Sequence, residues 1–380
     1  MYRLFLVALA ATPLLGCADD LGDVAPVLAH YGVLAEAEYE DTLTGADALG
    51  VAIDDFVNDP TDASLLAART AWIASRDPYL QAEAYRYYGG PIEQGDPEHE
   101  GALNAWPIDE SVVDYVRDGA GERLETGIVN DGSVTIDGPT LRSMNTTAGE
   151  TAVTTGYHPI EFLLWGQDDP GVEGAGMRPV ADYLDAPNAE RRRSYLRVTA
   201  GLLHDDLAAV LAEWRDEPGT YRRELAEGDP RAGLRNLLTG LAEMSGPELA
   251  GERIGVALIT GDQEDEHSCF SDNTHHEIAM DARGIRNVYL GEYVRTDGTR
   301  VSGASLSDLV RARDAALDDR MRAQLDTTQS LADALPGPFD EMILSREGKE
   351  RLDAVVASLR AQTDLLVEIA ALFDITLNVE

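Results

Sequence analysis

The chain of 380 residues predicts an all-α fold: two helical-bundle domains of long antiparallel helices. Three observations predict it. Apolar residues recur with a period near 3.6 along almost the whole chain. Strand-like stretches are few and short. A segment rich in Gly, Pro and Asp, residues 167–187, separates two helical halves. The halves are similar in length and compatible with a diverged duplication, although no repeat is evident.

The elements follow in order. Arg3 precedes an apolar run from Leu4 to Leu15, shorter than the roughly 20 residues a membrane-spanning helix needs. It reads as the core of a secretory signal over residues 1–16. The run ends in Leu14-Leu15-Gly16-Cys17, which resembles a bacterial lipobox with Cys17 as the lipidated new N-terminus. Several acyl chains hold a protein on a membrane where one does not. Residues 17–25 are the expected tether, and residues 26–170 the N-terminal helical domain. There Leu43, Ala46, Ile53 and Phe56 share one face. Asp62 is placed to cap the next helix, which carries Leu65, Arg69, Trp72 and Arg76 along one side. Gly89-Gly90-Pro91 is its expected stop. Ser133 to Ile136 is a short extended candidate. Residues 171–187 are the linker, and residues 188–380 the C-terminal domain. Helices are expected from Asn188 to Trp214, Asp229 to about Met244, Leu306 to Leu335, and Leu352 to Phe373. Arg300 to Gly303 is a second extended candidate.

Acidic residues number 69 against 30 basic ones, a net charge of −39. Such a surface repels nucleic acid and anionic headgroups and favours cations. No nucleic-acid partner is expected. The membrane is reached through the anchor on Cys17. The chain has two cysteines, Cys17 and Cys269. With Cys17 lipidated no internal disulfide is possible, and Cys269 reads as a small buried residue.

Chemistry concentrates in two segments. In Gly156-Tyr157-His158-Pro159-Ile160-Glu161, the His and Glu lie three residues apart. On a helix that places them within about 60° of each other, so an imidazole and a carboxylate can converge on one cation. Pro159 suits a first helical turn. The second segment runs from Asp262 to His276 and holds Glu264, Asp265, Glu266, His267, Asp272, His275 and His276. Carboxylates with imidazoles suit iron, zinc or manganese. Asp272 alternatively caps a helix starting near Asn273. His276 is set aside, because adjacent helical residues point about 100° apart. Glu83 is either a ligand or the partner of Arg86. Trp106-Pro107 reads as a packing corner. His30, His99 and His204 have no motif around them.

The Gly-x-His-x-x-Glu pattern of Gly156, His158 and Glu161 resembles the hallmark of the imelysin family. Three further stretches are similar to the family's iron-regulated branch: Ala71-Trp72 through Glu83, Arg86 and Gly90-Pro91; Leu103 to Glu110 with Asp109; and Asp262 to His275 with Gly284-Ile285 behind it. The resemblance covers nearly all of the mature chain. It implies two helical bundles with the motif near the cleft between them, an envelope location, and a link to iron acquisition. It also implies a family classed among metallopeptidases. The chain is therefore expected to be a lipid-anchored envelope protein, periplasmic or on the surface of the outer membrane, that binds a metal cation, iron rather than zinc. The candidate ligands are His158, Glu161, Glu83, Asp109, His267, Asp272 and His275. A zinc peptidase is the alternative, although the usual His-Glu-x-x-His motif is absent. A polysaccharide- or protein-binding role is the second alternative.

Overall fold

The computed structural model describes residues 24–95, 98–168 and 174–379. Its helices are α1 (Val24–Asn58), α2 (Asp62–Ala82), the short α3 (His99–Leu103), α4 (Glu110–Val113), α5 (Gly127–Asn130) and α6 (Gly138–Met144), then α7 (Tyr157–Trp165), α8 (Ala189–Trp214), α9 (Tyr221–Glu227), α10 (Pro230–Glu243), α11 (Ala257–Thr260), α12 (Thr274–Leu290), α13 (Leu306–Arg313), α14 (Ala315–Ala332), α15 (Phe339–Leu344) and α16 (Arg346–Leu372). Two small antiparallel pairs complete the fold: β1 (Val116–Arg117) with β2 (Arg123–Leu124), and β3 (Glu292–Val294) with β4 (Arg300–Ser302). The all-α class holds. The signal, the lipobox at Cys17 and most of the tether lie outside the described residues. Residues 24 and 25, expected in the tether, already belong to α1.

Several boundaries differ from expectation for local reasons. Thr61, not Asp62, caps α2: its hydroxyl accepts from the Ser64 N–H, and Ser64 returns the bond. This helix ends at Ala82, ahead of Gly89-Gly90-Pro91, and tightens into a 3₁₀ turn over Glu83–Tyr85. The stretch 133–136 is no strand, because Asp131 Oδ1 takes both the N–H and the hydroxyl of Ser133 and turns the chain. The helix expected over 306–335 is two helices. Asp314 is extended at φ −144° and caps α14 through the N–H groups of Ala316 and Leu317. After α10 the chain does not stop but widens into a π-helix over Met244–Val256. Pro247 inside it cannot donate an α-helical hydrogen bond, and a wider turn accommodates that loss.

Helix α1 packs along α2 and α8; α12 bridges α2 and α14; α16 lies on α14 and the π-helix. This packing runs across the boundary expected at 171–187, since α8 lies on α1, α3 and α7. The buried apolar residues form one contiguous cluster from Val24 to Ile375. Among the described residues no helix is long and apolar enough to cross a membrane.

Candidate functional site

Gly156 starts the site. It sits at φ +94°, and a Cβ there would lie 2.4 Å from the Leu103 carbonyl oxygen. Only glycine takes that conformation and that approach without strain. Helix α7 follows at once, with Pro159 in its first turn and every residue from Tyr157 to Trp165 buried. His158 and Glu161 therefore point from one face of a helix sealed inside the protein. Their contact is direct: His158 Nδ1 lies 3.0 Å from Glu161 Oε2. The other carboxylate oxygen, Oε1, accepts the N–H and the hydroxyl of Ser271, at 3.0 and 2.7 Å. His158 Nε2 is buried and has no partner.

His158 borders a narrow cleft of about 20 Å³, walled also by Trp106, Pro107, Ile108, Glu266, His267 and Phe270. The ring of His267 stands edge-on to that of His158, centroids 5.0 Å apart, and edge-on to that of Trp106 at the same distance. His267 Nδ1 lies 2.7 Å from Glu277 Oε2, and its Nε2 faces the Asn104 amide nitrogen at 3.3 Å. Because the amide can only donate, Nδ1 is assigned the proton and donates to Glu277.

Burial sets the protonation states. It pushes His158 and His267 down to about 3, with Arg76 and Arg253 respectively adding to the effect. Both imidazoles are neutral at ordinary pH. Burial pushes Glu161 up to about 8, eased by its bonds from Ser271. Burial also opposes the charge on Glu277, but Arg76 outweighs it and holds that carboxyl well below the usual range. Arg76 grips Glu277 with two nitrogens, at 2.7 and 3.1 Å, and gives a third to Asn104 Oδ1 at 2.7 Å. Arginine, carboxylate and imidazole thus form a buried chain that fixes His267.

The expected ligands divide accordingly. His158, Glu161 and His267 come together. Glu83 is buried but held by Arg253 at 2.6 Å and by Arg86, so it is the arginine partner and not a free donor. Asp109 is exposed and caps α4 through the Ser111 N–H. Asp272 does not cap α12, whose preceding residue Asn273 also makes no side-chain cap. Its backbone is left-handed at φ +57°, and its Oδ1 has no partner. His275 packs against Gly337, and His276 bonds Asp77 at 2.7 Å. His204 is half-exposed beside Asp205, and His30 bonds the Gly291 carbonyl. Cys269 is buried, as expected.

Sequence reasoning missed Asn104, Ser271, Glu277 and Arg253. One signal was available. An arginine on the apolar stripe of α2 cannot be buried without a carboxylate to answer it. Which carboxylate answers Arg76 depends on a helix 201 residues away, and the periodicity of α2 says nothing about that. A wider groove of about 550 Å³ lies elsewhere, but its arginines 283, 286 and 300 already pair with Asp333, Asp326 and Glu292.

For a metal, the donor set fits in kind but is incomplete in place. Neutral imidazoles and buried carboxylates suit a borderline cation, and His158 Nε2 is an orphaned donor in position. Yet among the described residues no three His, Cys, Asp or Glu side chains gather as a ligand set.

An all-α fold with a buried Gly-x-His-x-x-Glu helix start, its imidazole paired to its own carboxylate beside a cleft, defines a class of all-helical domains built around that motif. The imelysin family model (Peptidase M75) matches residues 35–366, and the chain belongs to the imelysin family. It is 26% identical over 335 residues to "Iron-regulated protein A" of Synechococcus elongatus, covering 86% of this chain and 78% of that one. Its fold matches a crystal structure described as an iron-regulated protein A precursor from Parabacteroides distasonis, at TM-score 0.74 and 20% identity, over 96% of this chain and 98% of that one. It also matches an imelysin-like protein from Psychrobacter arcticum, at TM-score 0.63 and 13% identity, over 98% and 100%.

Proposed function

We propose that this imelysin-family chain is a cell-envelope protein that binds a metal cation through His158 and serves iron handling. One observation carries the reading: His158 is held at Nδ1 by Glu161, while Nε2 is buried, unpartnered and beside the cleft. Metal-binding imidazoles commonly have this arrangement, one nitrogen on the metal and the other on a carboxylate that fixes the tautomer. Glu161 is then the orienting group and not a ligand. His267 is the second donor, because its contact with Asn104 is long and an amide gives way more easily than a charge. Both imidazoles are neutral, and because Glu161 holds its proton below about 8, a cation at His158 Nε2 would bind with loss of that proton, leaving Nδ1–H donating to the Glu161 carboxylate. Iron is supported by the names of the relatives. The signal over residues 1–16 and the lipid anchor at Cys17 belong to this reading on the strength of the N-terminal sequence, an apolar run ending in Leu14-Leu15-Gly16-Cys17.

The test is metal content by mass spectrometry after loading the purified chain with Fe(II), Zn(II) or Mn(II). A stoichiometric cation should be retained by the parent protein and lost in His158→Ala. Glu161→Gln should weaken binding roughly 10- to 100-fold, as removal of an orienting carboxylate does. No cation under any loading, or equal retention by His158→Ala, would refute the proposal.

A further inference from the structure

Helix α7 carries His158 near its start, and a separate cavity lies at its other end. It measures about 470 Å³, within the range of small-molecule sites. Trp165 and Gly166, where α7 ends, line it together with Tyr115, Arg117, Met177 and Arg178. Met177 is 80% exposed, so apolar surface stands at this cavity uncovered. The chain has 69 acidic residues, yet among the described residues none of them lines it.

The arginines here are incompletely answered. Arg178 is buried, and Asp114 and Asp182 both lie on its Nη1, at 2.7 and 3.3 Å. Its Nε is buried without a hydrogen-bond partner. A donor left in that state is costly, and such a group calls for an acceptor. A Cβ added at Gly166 would lie 3.5 Å from that nitrogen, so the glycine keeps the space beside it open. Among the described residues Arg117 has no carboxylate at ion-pair distance; its Nη1 bonds the Gly121 carbonyl at 3.2 Å. Two contacts bring the arginines to one wall. Arg178 lies 4.8 Å from the ring centroid of Tyr115, two residues before Arg117. The Arg117 N–H donates to Gln167 Oε1, next to Gly166. Half-buried Arg69, 5.6 Å from the Trp165 ring centroid, also lacks a carboxylate and bonds the carbonyls of Leu164 and Arg178. The groove on α12 and α14 differs, because each of its arginines has a carboxylate.

We infer that this cavity binds a small organic anion, whose carboxylate or phosphate is drawn by Arg117 and Arg178 while its apolar part lies against Trp165 and Met177. A guanidinium presents five N–H donors in a planar fork that matches either group. The oxyanion supplies the acceptor that Arg178 Nε lacks and the counter-charge that Arg117 lacks. A surface as negative as this one repels anions elsewhere, which leaves the acid-free lining as the place where one can be held. The site does not depend on His158 binding a metal.

The probes are para-fluorobenzoate and para-fluorophenyl phosphate, with para-fluorobenzamide as the uncharged counterpart, titrated into the full chain and followed by fluorine NMR. At least one anion should bind saturably and the benzamide should not; the tighter anion names the ligand class. Arg117→Gln should weaken that binding about tenfold or more, the worth of a charge-assisted hydrogen bond. Arg117 is exposed, so the Tm of this variant should match the parent's, which separates ligand loss from misfolding. Arg300→Gln also removes an exposed arginine and should leave binding unchanged. No saturable binding of either anion, equal binding of the benzamide, unchanged affinity in Arg117→Gln, or an equal loss in Arg300→Gln would overturn the inference. Metal retention by His158 is measured separately, so either claim can fail alone.

Discussion

At the residue scale, the His158–Glu161 pair leaves a signature in the pH dependence of stability. Glu161 is raised in the folded protein to about 8, above its ordinary value near 4.3. Between those two pH values the folded state holds the extra proton, so the contribution of Glu161 to stability falls as pH rises through that window. The histidines act in the opposite sense. Their folded values are near 3, below the ordinary 6.5 or so, so their contribution is present above about 6.5 and is lost as pH falls. Glu161→Gln isolates the first effect. Urea unfolding across pH 5 to 8 should show the variant gaining on the parent by at most about 1.4 kcal/mol per pH unit, with the difference levelling off above about 8. A difference that stays constant over the window would show that Glu161 is ionised throughout. The pair itself was legible in the sequence, because three-residue spacing on a helix is enough to join two side chains. Ser271 was not, since its contact to Glu161 spans 110 residues.

At the level of elements, the start of α7 fixes the site more firmly than its own propensity could. A nine-residue helix gains little from backbone cooperativity alone, and α7 is held by burial on every residue. Gly156 is the point at which this placement fails or succeeds. Gly156→Ala should lower stability by about 1–3 kcal/mol for the backbone conformation alone, with the clash against Leu103 added. Gly50→Ala is the matching control. It lies in α1 with nothing within 4 Å of a new Cβ, and should be stabilising by about 0.5–1 kcal/mol. Urea midpoints for the two variants should move in opposite directions; a shift of the same sign would refute the account of Gly156. The long helices were readable from their apolar stripes: α8 lies where its periodicity placed it, while α16 begins at Arg346 behind a Ser345 cap, ahead of the expected start at Leu352. The breaks were less so. Asp314 looks like any polar residue in an amphipathic run, and only its geometry reveals a cap. The π-helix after α10 has apolar residues that read as ordinary α-helix, so Pro247 was the single available hint.

For the whole molecule, the packing of α8 across α1, α3 and α7 and the single contiguous core imply that the described residues unfold together. Scanning calorimetry should give one cooperative transition with matching calorimetric and van't Hoff enthalpies. Two separated transitions would restore the independent bundles that the Gly/Pro/Asp-rich stretch suggested from sequence. That stretch is a real break in helix, but the sequence could not show which side of it α8 would pack on, because an apolar stripe does not name its partner. The acidity was fully readable, and so was its consequence for cations. The buried arginines that answer most of the interior acids were not readable, since pairing is a property of the assembled fold. The account rests on His158 as a metal donor. The most direct measurement is a crystal of the chain loaded with Zn(II), with anomalous difference density collected at the zinc edge. The account predicts a peak about 2.0–2.1 Å from His158 Nε2, with Nδ1 still on Glu161. Loaded crystals with no peak at this imidazole, or with a peak only among surface acids, would contradict it.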